Sequence, residues 1–255
     1  MDPWRTAITT SDETRILIRG YDVASLMTQA TFADTIFLLH QGRLPTKDER
    51  RLFDAILIGV SDHGPAAPSA AAARIVASGN RQSLEASIAA GVLAIGDAHG
   101  GAGYECMKMI AEGLDLARRE SISIQEAARR LIMQAKASSK RLPGMGHRVH
   151  TEDPRTSVLF SIARESGLAR DGIAFMQTLE EAVREQIRPL PINVDGALAA
   201  VLYDLGFLPP IAKLIFIIGR VAGLTAQVME EYTREKPMRI RIPVAYDGLP
   251  PREIK

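Results

Sequence analysis

Cysteine is nearly absent from this chain of 255 residues, which contains Cys106 alone. A single thiol excludes an intramolecular disulfide and any metal site built from several cysteines. The first residues also lack the basic and then apolar pattern of a secretory signal. We therefore expect a reducing, cytoplasmic location.

An excess of charge of one sign is also missing, because 31 Lys and Arg residues face 30 Asp and Glu residues. A balanced chain has no overall field that attracts nucleic acid or an anionic membrane, so an anionic ligand must be held locally. The most apolar stretch, residues 211–229, is interrupted by Lys213, Arg220 and Gln227. These interruptions predict a buried helix rather than a membrane span.

Strand signals are scarce, whereas helix signals are abundant. Only residues 14–19 and 239–245 alternate as strands do. Thr46 with Glu49, and Ser123 with Glu126, have the spacing of capping boxes. Further helices are predicted at residues 70–77, 84–95, 154–165, 172–186, 196–203 and 210–231. The sequence predicts an all-α fold of one domain over residues 1–255, with minor strands near the termini, and allows a smaller lobe at about 140–220 within it.

Titratable residues lie beside glycine or proline in four segments, where a backbone leaves the helix and can aim a side chain. The segments are residues 61–65 (SDHGP), 96–101 (GDAHGG), 142–148 (LPGMGHR) and 192–196 (INVDG). They contain His63, His99, His147 and Asp195. We predict that these segments form an active site.

The residue types in these segments favour proton transfer over metal binding. Carboxylate and imidazole can divide the base and acid roles near neutral pH. The three histidines lack the close spacing of metal-binding pairs, and only His147 with His150 keeps a metal site open as an alternative. A guanidinium binds carboxylate or phosphate in a two-pronged way, which predicts a small polyanionic substrate. The candidate arginines are Arg148, Arg155 and Arg220.

Six segments in order along the chain resemble the citrate synthase superfamily. They are Arg-Gly-Tyr-Asp at 19–22, Ser-Asp-His-Gly-Pro at 61–65, Gly-Asp-Ala-His-Gly-Gly at 96–101, Gly-Met-Gly-His-Arg-Val at 144–149, Asp-Pro-Arg at 153–155 and Asn-Val-Asp-Gly at 193–196. Asp-His-Gly-Pro-Ala, Gly-His-Arg-Val and Asn-Val-Asp-Gly are most similar to citryl-CoA lyases, including the C-terminal module of ATP-citrate lyase. The resemblance implies a multi-helix fold with a large and a small lobe. It also implies an enzyme that cleaves citryl-CoA, or a close 3-hydroxy-3-carboxyacyl-CoA, to acetyl-CoA and oxaloacetate.

The same resemblance implies a role for each candidate residue. Asp195 would exchange a proton with the methyl group of acetyl-CoA while His99 stabilises the enolate oxygen. His147 would hold the hydroxyl or the carbonyl of the four-carbon part. The groups implied to bind the hydroxy acid and its carboxylates are His63, Arg155 and Arg220. Coenzyme A enters as part of the substrate rather than as a tightly bound cofactor, and the residues implied to meet it are Arg148, Arg188, Gly144 and Gly146.

The resemblance further implies a basic residue lent by a neighbouring subunit, before a proline near the C-terminus. This chain has Lys236 there, in a run with Arg234 and Arg239. A lysine supplies a point charge instead of a fork, so a citramalyl-CoA or methylcitryl-CoA substrate stays open. We expect a homodimer or higher homo-oligomer formed through the alanine-rich helices. A citryl-CoA synthetase is a further expected partner, and we expect no metal, nucleic acid or membrane.

Other interpretations stay open at the level of single residues and of the whole protein. His63, through Asp62, and Asp195 could belong to helix caps, and Arg220 could pair with a protein carboxylate. His99 is typical of true citrate synthases, whereas the lyase module of ATP-citrate lyase has an aromatic residue there. A short citrate synthase that also hydrolyses the thioester is therefore the first alternative. A non-catalytic subunit that binds citrate or CoA is the second.

Overall fold

The computed structural model describes residues 3–146 and 152–254. Eleven helices and three short strands make up the regular structure of these residues, which confirms the predicted all-α class. The strands are β1 (Thr9–Ser11), β2 (Ile16–Ile18) and β3 (Tyr21–Asp22). The helices are α1 (Val23–Gln29), α2 (Phe32–Gln41), α3 (Lys47–Ser61), α4 (Pro68–Gly79), α5 (Leu84–Leu93), α6 (Ala102–Glu120), α7 (Ile124–Ala137), α8 (Pro154–Glu165), α9 (Asp171–Gln186), α10 (Val194–Asp204) and α11 (Pro209–Arg234).

The N-terminal strands form a small antiparallel sheet in the order β1-β2-β3, which confirms the strand prediction at residues 14–19. The predicted strand at 239–245 is wrong. Alternation alone does not make a strand, because each strand needs a partner for its backbone N–H and C=O groups. Residues 241–254 are exposed instead, and no regular element of the described chain pairs with them.

Capping signals at the helix starts account for two of the correct helix predictions, α3 and α7. Thr46 Oγ1 accepts from Glu49 N (3.2 Å) while the Glu49 side chain accepts from Thr46 N (2.8 Å), so the capping box is present. Ser123 Oγ likewise accepts from Glu126 N (3.1 Å) at the start of α7. The other predicted helices are found with ends displaced by at most three residues.

The long apolar helix α11 lies in the protein core, as the interrupted stretch at 211–229 predicted. Among the described residues it is the one helix that is long and apolar enough to cross a membrane by length and composition. Nine of its residues are buried, including the charged Arg220 and Glu231. It packs against α3, α4 and α6, and the buried alanines of α4 meet Leu224 and Val228 of α11 within one chain.

The core brings the candidate segments together from distant parts of the sequence. Helix α10, with eight buried residues, packs against α6, α8 and α9. A Cβ added to Gly103, near the start of α6, would lie 3.3 Å from Ala212 of α11 and 3.7 Å from the carbonyl oxygen of Asp195. The beginnings of α6, α10 and α11 therefore converge, and α8 packs against α10. A smaller lobe at about 140–220 stays a prediction.

Candidate functional site

The start of α10 fixes the backbone of Asp195. Asn193 Oδ1 caps the helix by accepting from Asp195 N (3.0 Å) and Gly196 N (3.1 Å). The loop that follows α7 is tied to the same cap, because Asn193 N donates to Gly144 O (3.0 Å) and Asn193 Nδ2 donates to Gly146 O (2.8 Å). Two of the predicted segments are thus joined by hydrogen bonds.

Gly144 is a glycine because two backbones meet at this point. Its φ is +78°, and a Cβ there would lie 2.7 Å from Gly196 Cα and 2.7 Å from Cys106 Sγ. Gly146 also has a positive φ, +81°, but among the described residues its Cβ would meet Leu190 Cδ2 alone, at an ordinary 3.6 Å. Gly144 therefore sets how closely the loop approaches α10, whereas the positive φ of Gly146 serves the turn.

Asp195 carries a buried carboxyl oxygen without a hydrogen-bond donor. Its Oδ1 is fully buried and has no partner within residues 3–146 and 152–254. Burial raises the pKa of this carboxyl from 3.8 to about 6, with the charges of Arg155 and Arg220 opposing the rise and Asp153 adding to it. Both protonation states are therefore accessible near neutral pH, which a group that takes and returns a proton requires.

Arg220 is a second buried charge with an incomplete set of partners. It is 1% exposed and its Nε donates to Val60 O (2.8 Å), but Nη1 has no partner in the described part of the chain. Its guanidinium lies over the ring of Phe216, 5.0 Å from the centroid. Burial lowers the pKa of Arg220, and Asp62 and Asp195 oppose that change. The alternative of an ion pair with a protein carboxylate is not found among the described residues, so Nη1 suits an anionic ligand.

Arg155, on the first turn of α8, is held by three hydrogen bonds. Its Nε and Nη2 donate to Asp153 Oδ1 (2.9 Å) and Oδ2 (2.8 Å), and its Nη1 donates to Gly59 O (3.3 Å). Burial would raise the pKa of Asp153, but hydrogen bonding and the charge of Arg155 lower it, so the pair is ionic. Two of the five guanidinium N–H groups are not used by these bonds.

The Nε2 atom of His99 contacts Ser69 at the start of α4. This nitrogen lies 2.8 Å from Ser69 Oγ and accepts from Ser69 N at 3.3 Å. Because the backbone N–H of Ser69 can only donate, that bond assigns the acceptor role to Nε2. Phe216 lies edge-on to His99, with the centroids 6.1 Å apart. Because Phe216 also contacts Arg220, it connects the imidazole and the buried guanidinium.

His63 lies in the loop between α3 and α4 and is exposed. Its neighbour Asp62 accepts from Gln227 Nε2 (3.1 Å) on α11 and from Gly64 N (3.1 Å). Asp62 is the C-cap residue of α3, whereas the residue before α4 is Ala67, without a side-chain cap, so Asp62 caps the end of one helix and the start of none. The loop therefore lies beside the helix that carries Arg220.

Several candidates are not brought to this cluster by a described contact. Arg188 is exposed in the loop between α9 and α10, and Lys236 is exposed beyond the end of α11. Arg234 and Arg239 form ion pairs with glutamates of their own chain, whereas Lys236 forms none within the described residues. His147, Arg148 and His150 lie outside the described residues.

Sequence reasoning missed three residues that hold the site: Ser69, Asp153 and Asn193. Asp153 had a readable signal, because an acid before Pro154 at a helix start is typical of an N-cap. Asn193 precedes Asp195 in the quoted motif and has the residue type of a cap. Ser69 had no sequence signal, since its partner His99 is 30 residues away.

Metal-binding geometry is not found in the part of the chain that the structure describes: no group of three or more His, Cys, Asp or Glu could hold an ion. Cys106 is fully buried, with Sγ 3.7 Å from Met176 Sδ. Burial raises the pKa of its thiol, as does the nearby Asp195. This thiol fills the core.

Comparisons with known proteins agree with the geometry. The citryl-CoA lyase of Hydrogenobacter thermophilus has 41% identity and a TM-score of 0.89, over 99% of this chain and 97% of that one. The citrate synthase of Thermoplasma acidophilum has 26% identity and a TM-score of 0.70, over 88% of this chain and 58% of that one. A citrate/2-methylcitrate synthase of Bacillus subtilis is 28% identical over 89% of this chain and 59% of its own length. The chain spans 52% and 59% of the first two curated relatives. The model of the citrate synthase C-terminal domain matches residues 3–53 and 46–241, and the chain belongs to the citrate synthase family.

Proposed function

We propose that this protein is a citryl-CoA lyase, which cleaves citryl-CoA to acetyl-CoA and oxaloacetate. The observation that carries the proposal is Asp195, a buried carboxyl with a pKa of about 6 whose charged neighbours include Arg155 and Arg220. The 41% identity to the Hydrogenobacter thermophilus citryl-CoA lyase, over nearly the full length of both chains, supports the choice of substrate.

The proposed reaction breaks one carbon–carbon bond. The hydroxyl proton of citryl-CoA passes to the imidazole of His147. The hydroxyl carbon then becomes the ketone of oxaloacetate, and the electron pair of the broken carbon–carbon bond moves into the thioester as an enolate. Protonated Asp195 gives its proton to the enolate carbon, which completes acetyl-CoA. His99 Nδ1–H donates to the enolate oxygen, which is where negative charge develops. We assign the hydroxyl to His147 on the family resemblance.

The two arginines are proposed to bind the carboxylates of the four-carbon part. Arg220 offers Nη1, a donor with no partner in the described chain, and Arg155 offers the two N–H groups outside its bonds to Asp153 and Gly59. His63 is proposed to meet the hydroxy acid from the loop after α3. Guanidinium groups held in place before binding lose little entropy when the substrate arrives.

The CoA part is proposed to lie along two loops joined beside α10. Gly146 N donates to Pro191 O (2.7 Å), so the loop after α7 and the loop before α10 form one surface. Arg141 and Arg188 are exposed on these two loops, as a phosphate-binding cation must be. Arg148 remains a proposed contact, on the resemblance alone.

A short citrate synthase is the second candidate, because curated relatives bear that name and the same acid–base groups work in either direction. Condensation would use ionised Asp195 as a base on acetyl-CoA, and a placed water would then hydrolyse the thioester. The pH dependence separates the directions: cleavage falls as Asp195 loses its proton, and condensation rises.

We propose a homodimer that contains two such sites. Helix α5 supports this, because it is apolar yet leaves Leu84 49% and Leu93 84% exposed. Lys236 is proposed to reach the partner subunit's site. A cytoplasmic location and a citryl-CoA synthetase partner remain part of the proposal.

The test is to incubate the purified protein with synthetic citryl-CoA and follow oxaloacetate, acetyl-CoA and free CoA. Oxaloacetate with acetyl-CoA in equal amounts is the expected result. Citrate with free CoA would replace the lyase by a synthase-type enzyme, and no turnover would contradict both.

The matched variant is Asp195→Asn, which keeps the shape of the side chain and removes its proton chemistry. We expect turnover to fall at least about 1,000-fold, with citryl-CoA binding retained in calorimetry. Unchanged turnover in this variant would remove Asp195 from the mechanism. Asp54→Asn, on the exposed face of α3, is the control.

A further inference from the structure

The carboxylate of Asp153 has more partners than a helix cap needs. As the N-cap of α8 it accepts from Arg155 N (3.1 Å), but it also accepts from Arg155 Nε (2.9 Å) and Nη2 (2.8 Å). Its Oδ2 accepts a fourth bond, from Val194 N (3.0 Å). The side chain is fully buried.

These four bonds connect two helices at the place where each carries a site residue. Val194 is the first residue of α10 and precedes Asp195, and Arg155 is on the first turn of α8. Asn193 binds the next two backbone N–H groups of α10, so Val194 N would have no acceptor at this cap without Asp153. One carboxylate thus holds the guanidinium of Arg155 and the backbone next to Asp195 at once.

We propose that Asp153 is a positioning residue of this site: its carboxylate sets the guanidinium of Arg155 and the start of α10 relative to each other, and so places Asp195. The inference rests on the proposed function for its kinetic part only. Asp153 does not touch the reacting atoms in this proposal, and it acts through Arg155 and the α10 backbone.

The charge of Asp153 also bears on the ionisation of Asp195. Among the described residues, the charged and titratable groups that face Asp195 are Arg155 of α8, Arg220 of α11, Cys106 of α6 and Asp153. Removal of the Asp153 charge takes away a negative neighbour and leaves the charge of Arg155 without its counter-ion. Both changes favour ionised Asp195.

Asp204 offers a matched control. Its carboxylate also ties one helix to another, by accepting from Arg170 N (2.8 Å), Gly172 N (2.7 Å) and Ile173 N (3.2 Å) at the start of α9. It lies at the far end of α10 from Asp195. Asp204→Asn therefore removes a structural carboxylate without touching the site.

The experiment compares the full-length wild type with Asp153→Asn, Asp153→Glu and Asp204→Asn. For both Asp153 variants we expect kcat on citryl-CoA to fall by about 100-fold, because misplacement of about 1 Å has that effect. We expect the alkaline limb of the kcat profile to move to lower pH in Asp153→Asn only, since Asp153→Glu keeps the charge. Asp204→Asn is expected to lower the melting temperature and to leave the alkaline limb of the kcat profile at the wild-type pH.

A titration of the Asp195 carboxyl by carbon-13 NMR needs no substrate, so it separates this inference from the proposed function. The expected midpoint is lower in Asp153→Asn than in the wild type and unchanged in Asp153→Glu. If Asp153→Asn does not fold, the kcat of Asp153→Glu tests the proposal in its place. A wild-type midpoint in Asp153→Asn, or a kcat of either Asp153 variant within twofold of the wild type, would overturn the proposal.

Discussion

Asp195→Asn should make this protein more stable in alkaline solution while it abolishes turnover. Burial raises the pKa of Asp195 from 3.8 to about 6, so the folded protein binds this proton more tightly than the unfolded chain does. The stability that comes from this proton is fully present below pH 3.8 and is lost as the pH rises through about 6. Two pKa units correspond to about 3 kcal/mol of unfolding free energy.

The asparagine variant has no charge to bury at any pH. Both side chains leave a polar atom without a partner, so their difference isolates the charge. At pH 8 we expect the variant to be more stable by about 3 kcal/mol, which is about 6 °C in melting temperature for a chain of this length. At pH 4.5 most of the difference should disappear.

Thermal unfolding of the wild type, Asp195→Asn and Asp54→Asn at pH 4.5, 6 and 8 measures this directly. Asp54 is an exposed carboxyl on α3, so its variant should follow the wild type at every pH. A melting-temperature difference between the wild type and Asp195→Asn that is the same at pH 4.5 and 8 would refute the reasoning about burial.

Two further predictions concern backbone approach and the C-terminal segment. Gly144→Ala and Gly146→Ala both place a side chain at positive φ, but only the Cβ at residue 144 meets Gly196 Cα, at 2.7 Å. The Gly144→Ala variant should therefore have a free energy of unfolding in urea about 1–3 kcal/mol lower than that of Gly146→Ala. Equal urea midpoints for the two variants would contradict this. Glu231 is fully buried and accepts from Arg239 Nε (3.0 Å) and Nη2 (2.6 Å) beyond the end of α11. Glu231→Gln should therefore speed the exchange of the backbone amides within residues 236–241. It should also lower the free energy of unfolding by about 3 kcal/mol or more. Protection that stays at the wild-type level would show that this ion pair does not hold the segment.

Much of the fold could be predicted because its signals are local. The caps at Thr46 and Ser123, and Pro154 at the start of α8, identify helix starts from a few neighbouring residues. Helix α6 was missed because it begins after Gly101 without a side-chain cap. Helix α2 was missed because its capping box, from Thr31 to Asp34, uses aspartate in place of the usual glutamate.

The residues of the candidate site could likewise be predicted only where their signals are local. Asp195, His99 and Arg220 could be named from the sequence, through glycine-flanked segments and a charge in an apolar helix. Their partners could not be named, because Ser69 meets His99 across 30 residues and Asp153 meets Val194 across 41. Such contacts depend on the tertiary fold, which the residue pattern of one segment does not contain.

Two of the five buried side-chain polar atoms without a hydrogen-bond partner in the described chain belong to oppositely charged groups of this site. Asp195 Oδ1 and Arg220 Nη1 are both buried without a hydrogen-bond partner in the described chain, and each such atom costs about 1–3 kcal/mol. Buried ion pairs outside the site, such as Arg74 with Glu231, satisfy their hydrogen bonds within the protein. A direct bond between Asp195 and Arg220 would remove the cost, but it would also lower the pKa of Asp195 and occupy the donor that an anionic substrate needs. The unmet hydrogen bonds are therefore best explained as the part of the binding site that the substrate completes.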